Sequence, residues 1–237
     1  MICFRSYLFA FFSLIIFFNP QMSWSATSFE EICNSQLGAP ELIMEVRKND
    51  AHVEKVSSAY LQDAHASALA AIYQSGAIQA VVHGTVESRL KSGGSVLGTV
   101  LRDRASGQAC ARPGVKIELE YAHFKLLLSE RLKEGSCEHS EVHDHERRHV
   151  DAYNLALDQA EEAVKAKWAS EWSQRGPIFG TVDDLSEKAA DLRDEVANFA
   201  FNHAVQVADQ LNREIDTMSE YKRMGMACNG ALIKASR

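Results

Sequence analysis

Two long helical patterns follow one another in the C-terminal half of the chain, and they restrict the folds open to it. The first pattern covers residues 138–172 and starts beside two serines that can cap a helix, Ser136 and Ser140. Residues 174–177, Gln-Arg-Gly-Pro, interrupt it, and the second pattern covers residues 185–221. Because the interruption is short, we expect the two helices to form an antiparallel hairpin.

The segment before the helices has the sequence texture of β-structure. Residues 78–86 and 95–101 are rich in β-branched side chains, residues 115–121 alternate strictly between apolar and polar, and Ser92-Gly93-Gly94 is one of the turn signals between them. Strict alternation indicates a strand with one buried and one solvated face. We therefore expect an α+β fold in which a small antiparallel sheet, within residues 77–128, precedes the two long helices.

The first 25 residues have the features of a secretory signal peptide. Arg5 is their only charge, residues 7–18 are apolar apart from Ser13, and Ser23-Trp24-Ser25 supplies small residues before a cleavage site at Ala26. The apolar run is shorter than the roughly 20 residues of a membrane-spanning helix. An uncleaved anchor is the alternative. We expect residues 26–237 to form a single exported domain, periplasmic or secreted, without stable membrane insertion and with a helix-rich first part.

The cysteines fit an exported protein. Cys33, Cys110, Cys137 and Cys228 remain after signal cleavage, and an even number in an oxidising compartment predicts two disulfides with three possible connectivities. No two of them have the spacing of a structural zinc knuckle. The formal net charge of −7 offers no basic surface, so neither nucleic acid nor anionic lipid is an expected partner.

The first helical pattern contains the motif His145-Glu-Arg-Arg-His149. Residues four apart lie on one helix face, so the two imidazoles can point at one metal ion. Catalytic zinc has three protein ligands and a water molecule, and a neighbouring carboxylate can take a proton from that water. Glu146 has the position of this general base. The motif therefore predicts a Zn²⁺ site, and the alternative is a solvated helix face that carries these residues by chance.

The third ligand must come from another part of the chain, because position 155 is Leu rather than a further His. In the expected hairpin the end of the second helix lies opposite the motif, and Asp216 and Glu220 fall there. Asp216 borders the apolar stripe of that helix. We predict Asp216 as the ligand and Glu220 as the carboxylate that orients a ligating His, with the reverse assignment as the close alternative.

The same helix register bears on the cysteines. It places Cys137 near Cys228, which would lock the two helices together and leave Cys33 to pair with Cys110. The register is consistent with this connectivity, and the other two connectivities stay open.

Two segments resemble a family of bacterial exported zinc-dependent peptidases: the motif at 145–149 and residues 215–231, which begin Ile-Asp-Thr-Met-Ser-Glu-Tyr. The family pattern has an Asp, a Thr three residues later, an acidic residue and an aromatic ring. Asp216, Glu220 and Tyr221 match it in type, with Ser in place of the Thr and Tyr where His is common. The resemblance covers residues 116–237. It implies a zincin-like domain whose strand before the motif helix binds an extended peptide by its edge.

We therefore expect an exported zinc metallopeptidase that acts on peptides or proteins, with Glu146 as general base. A non-catalytic zinc-binding module of the cell envelope is the alternative from another class, and a zinc amidase that acts on cell-wall cross-links is a third. Glu146 favours hydrolysis, because metal binding alone needs no general base.

Overall fold

The computed structural model describes residues 28–64 and 82–234. The predicted signal peptide therefore lies outside the described residues, together with most of the Ala-rich stretch 64–71 and the beginning of the predicted strand 78–86. Among the described helices, none is both long enough and apolar enough to cross a membrane.

The described chain mixes α-helices with two sheets, in agreement with the α+β class. The helices are α1 (Phe29–Gln36), α2 (Ser58–Ala64), α3 (Cys137–Ser170), α4 (Val182–Ile215) and α5 (Met218–Lys234), whose backbone is non-helical from Ala227 to Gly230. The strands are β1 (Leu42–Arg47), β2 (His52–Val56), β3 (Gly84–Leu97), β4 (Val100–Arg102), β5 (Ala109–Ala111), β6 (Gly114–Ser129) and β7 (Ile178–Gly180).

The larger sheet is built around β6. β1 and β2 lie one after the other along one side of β6 and run parallel to it, whereas β3 runs antiparallel along the other side. The prediction of an antiparallel sheet within 77–128 is therefore wrong, because two strands come from the part expected to be helix-rich. With 6 and 5 residues, they are too short for periodicity to identify them. The expectation that strand 115–121 offers a free edge to a peptide is also wrong, because β6 has partners on both sides.

The turn expected at Ser92-Gly93-Gly94 does not form, since β3 runs straight through it. A Cβ atom at Gly94 would lie 2.5 Å from the backbone oxygen of Lys116 on β6. Glycine is thus needed for the close approach of two strands rather than for a turn. The smaller sheet is antiparallel, in the order β4-β5-β7.

The predicted helical hairpin is confirmed. The first part of α3 faces the end of α4, as the hydrogen bond between His149 and Asn212 shows. The residues just after α3 face the middle of α4, where the indole of Trp172 donates a hydrogen bond to Glu195. Both helices pack against β6 in the main core. Buried alanines recur every four residues where the helices meet, which lets their axes approach closely; they are Ala152, Ala156 and Ala160 on α3 and Ala200, Ala204 and Ala208 on α4.

The second helix ends earlier than predicted. Asp216 has φ −83° and ψ 57° after the last residue of α4, and the chain starts α5 two residues later. Thr217 Oγ1 accepts a hydrogen bond from the backbone N–H of Glu220 at 3.2 Å, as a helix-capping side chain does. Asp216 therefore lies at a helix end, and a register calculated for one straight helix does not hold beyond Ile215.

Both disulfides have the connectivity that the helix register suggested. Cys33–Cys110 joins α1 to β5 with Cα atoms 6.3 Å apart, and Cys137–Cys228 joins the start of α3 to α5 with Cα atoms 5.7 Å apart. The second bridge fastens α5 to the helix that carries the His-Glu motif.

Candidate metal centre

The two histidines of the motif lie on the face of α3 that α4 covers. His145 and His149 are both buried, and their Nε2 atoms are 3.3 Å apart. The four-residue spacing thus directs both imidazoles to one point, as the motif predicted.

Asp216 reaches the same point from the end of α4. Its Oδ1 lies 3.2 Å from Nε2 of His145 and 3.3 Å from Nε2 of His149. Donors that surround a tetrahedral zinc at about 2.0–2.2 Å lie roughly 3.3–3.6 Å from one another. One donor atom from each of these three residues lies 3.2–3.3 Å from the other two, close to that requirement. The group can hold a metal ion. The Asp216 side chain is 38% exposed, so the centre is open on its side.

The electrostatics of the three donors are mutually supporting. Burial acts to raise the pKa of Asp216, but hydrogen bonds from His145 and His149 outweigh it and hold the pKa well below its usual range. Burial acts to lower the pKa of His149, and hydrogen bonds to Asp216 and Asn212 bring the pKa above its ordinary value. An anionic oxygen beside two imidazoles is therefore the stable arrangement.

Glu146 lies next to the donors and is only 6% exposed. Burial raises its pKa to about 7, although His149 and His145 counteract part of the effect. A Cβ atom at Gly84, the first residue of β3, would lie 2.8 Å from Cγ of Glu146, so strand backbone packs directly on this side chain. A carboxyl group that titrates near neutral pH can both accept and return a proton.

Glu220 lies on the far side of His145. Its Oε1 is 3.5 Å from Nδ1 of His145, the ring nitrogen opposite the donor group, and Arg148 lies 3.0 Å from the same nitrogen. Glu220 accepts hydrogen bonds from Arg223 and Arg148, and these cations lower its pKa to about 2. A carboxylate already paired with two guanidinium groups is a poor metal donor, which favours the orienting role for Glu220.

Asn212 is a part of the centre that the sequence did not point to. Its Oδ1 lies 2.7 Å from Nδ1 of His149, one helical turn before Asp216. The register of one straight helix would pair His149 with Asp216 and His145 with Glu220, whereas Asp216 contacts both imidazoles. The end of α4 at Asp216 causes the difference, and the capping pattern Thr217-Met-Ser-Glu220 is the sequence signal that could have revealed it.

Tyr221, which the family resemblance included, lies beside the donors. Its ring centroid is 6.3 Å from that of His145. Burial raises the pKa of its hydroxyl, and the charge of Asp216 and a hydrogen bond to that carboxylate raise it further. The hydroxyl therefore donates to Asp216.

Comparison with known proteins yields no relative. No protein-family model matches the chain, and neither a curated protein nor a solved structure is significantly similar to it. The likeness to exported zinc peptidases therefore rests on the residues quoted above.

Proposed function

We propose that this chain is an exported zinc-dependent metallopeptidase. The observation that carries the proposal is the meeting of two imidazole nitrogens and a carboxylate oxygen, 3.2–3.3 Å apart, beside a buried glutamate. A buried carboxyl group costs free energy unless its charge is met. A centre that only stores a metal has no need for Glu146, whereas a hydrolase does.

Zinc is the metal that suits this donor set. Imidazole nitrogen and carboxylate oxygen bind zinc well, and three protein donors with one open side are typical of catalytic rather than structural zinc sites. When bound, zinc polarises a carbonyl group and makes a water molecule acidic.

Glu146 carries the proton transfers. It takes a proton as the water oxygen attacks the carbonyl carbon of the substrate, and it gives that proton to the amide nitrogen as the C–N bond breaks. A pKa of about 7 suits both steps, because the group is neither too weak a base nor too weak an acid at neutral pH. His145, His149 and Asp216 keep the reacting centre in place.

The substrate approaches from the exposed side of Asp216. β3 begins at Gly84, against Glu146, and within the described residues its outer edge has no strand partner. An extended peptide can therefore pair with β3, in place of the edge of β6 that the sequence suggested. Export is supported by the two disulfides, which persist in oxidising compartments, and by the character of residues 1–25.

The substitution Glu146→Gln tests the reaction. It keeps the size of the side chain and removes the base, so we expect peptide cleavage to fall by about 10²–10⁴-fold while zinc stays bound. Glu162→Gln is the matched control, because Glu162 is 77% exposed on the same helix. Cleavage of a peptide library and zinc content are measured side by side for the parent and for both variants.

Three outcomes decide the proposal. Cleavage of peptides by Glu146→Gln at the rate of the parent would refute the role of Glu146 as the base. Zinc binding without any hydrolysis by the parent would make the chain a binding module. Cleavage of cell-wall cross-links without cleavage of peptides would replace the peptidase with an amidase.

A further inference from the structure

We infer that Asn212 is a positioning residue of the metal centre: its side-chain oxygen keeps a proton on Nδ1 of His149 and so leaves Nε2 for the metal ion. The inference rests on the proposed function, since it concerns metal binding through Nε2 of His149.

The contact between Asn212 and His149 allows one useful arrangement. The amide oxygen Oδ1, 2.7 Å from Nδ1, can only accept a hydrogen bond, so Nδ1 must carry the proton. A neutral imidazole with a proton on Nδ1 has its lone pair on Nε2. Nε2 is the atom that faces His145 and Asp216 at 3.3 Å.

An asparagine can also present its amide NH₂ group, which would favour the other tautomer of His149. A metal ion held by Nε2 excludes that tautomer, because the proton of a neutral imidazole is then on Nδ1. Only the amide oxygen can accept a hydrogen bond from this Nδ1–H.

The arrangement follows from the periodicity of the two helices. His145 and His149 are four residues apart on α3, and Asn212 on α4 is four residues before Asp216 at the end of that helix, so the two pairs face each other. The side chains beyond them are apolar and buried, such as Ala208. Loss of the Asn212 amide would therefore leave the buried Nδ1–H of His149 without its acceptor, which weakens the preference for the tautomer that binds metal.

The test replaces Asn212. Asn212→Ala should lower zinc affinity by about 10–100-fold. In long-range ¹H–¹⁵N spectra of the zinc-loaded protein, the Nδ1–H of His149 should change from a proton protected against exchange with water to one that exchanges rapidly. Asn212→Asp keeps an acceptor and should retain both properties. Asn202→Ala, at an exposed position of the same helix, is the control and should change neither.

The results separate this inference from the proposed function. If the parent binds zinc, and Asn212→Ala binds it equally well with an equally protected Nδ1–H of His149, Asn212 does not position the imidazole, and the zinc centre stands. If the parent binds no zinc, the proposed function and this inference both fail.

Discussion

The two ends of the α3–α4 hairpin contain polar groups of opposite character. At the end near the interhelical loop, Glu195 accepts from the indole of Trp172 at 3.0 Å and from two nitrogens of Arg175 at 2.7 and 2.9 Å, and its pKa is lowered to about 2 by Arg175 first and then by Trp172. At the other end the buried Glu146 forms no such pair with any residue that the structure describes, and burial raises its pKa to about 7.

The difference shows that one end of the helix pair is suited to stabilising the fold and the other end to proton transfer. A carboxylate whose charge is met by a cation stays charged and helps to close the loop. A buried carboxyl group that lacks this partner changes protonation near neutral pH and is available for proton transfer. We therefore expect substitutions at the loop end to change stability and substitutions at the metal end to change zinc binding or catalysis.

Removal of the proposed ligand should have the largest effect. Asp216→Ala takes a donor from the centre, so its loss of zinc affinity should exceed the about 10–100-fold loss that an orienting partner causes. Glu220→Gln should remain within that range. Competition with a chromophoric chelator measures both, with Asp209→Ala, at an exposed position of α4, as control. A larger loss of zinc affinity for Glu220→Gln than for Asp216→Ala would mean that Glu220 is the ligand and Asp216 the orienting carboxylate.

Trp172→Ala should produce the largest change at the loop end. The side chain is 1% exposed, and its truncation should lower the free energy of unfolding of the zinc-free protein by about 3–5 kcal/mol. Urea unfolding measures this change, and zinc affinity is measured on the folded variant. A loss of zinc affinity comparable to that of Asp216→Ala would show that the two ends are not independent.

Gly84→Ala should affect catalysis without affecting the metal. The new Cβ would lie 2.8 Å from Cγ of Glu146 and from Cγ1 of Val142, so it would displace the base and leave the donors in place. A shift of about 1 Å can cost about 100-fold in rate, which sets the upper limit for kcat/KM. Gly93→Ala on the same strand has free space around it and should be neutral. If Gly84→Ala had the same kcat/KM as the parent, the result would argue against Glu146 as the base.

The acid dependence of stability should show the smallest effect. The pKa of Glu195 falls from an ordinary 4.5 to about 2 on folding, so its stabilising contribution is complete above pH 4.5 and disappears as the pH falls toward 2. Glu195→Gln should remove this part of the dependence, modestly because the pair is exposed to solvent. Tm between pH 2 and 5 is the measurement. Superimposable curves for parent and variant would mean that Glu195 makes no such contribution.

Local rules predicted the part of the centre that lies within one helix. The convergence of His145 and His149 follows from the four-residue repeat of any α-helix. The approach of Asp216 followed from the antiparallel hairpin, but its partners did not, since they depend on where α4 ends. The helix register also suggested the Cys137–Cys228 bridge, although Cys228 lies beyond the break, in the non-helical stretch within α5 rather than on a continuous helix.

The sheet was harder to predict, because its pairing is not local. β1 and β2 are short, and their parallel partner β6 lies far along the chain, so no turn signal connects them. Gly94 was mistaken for a turn residue because a close approach between strands leaves no mark in the sequence other than the glycine itself.

The most direct measurement is the zinc content of the purified mature chain after loading with zinc and desalting at neutral pH. A centre formed by His145, His149 and Asp216 should retain about one zinc ion per chain, and the double variant His145→Ala/His149→Ala should retain none. Less than about half an ion per parent chain, or equal retention by the double variant, would contradict the zinc centre.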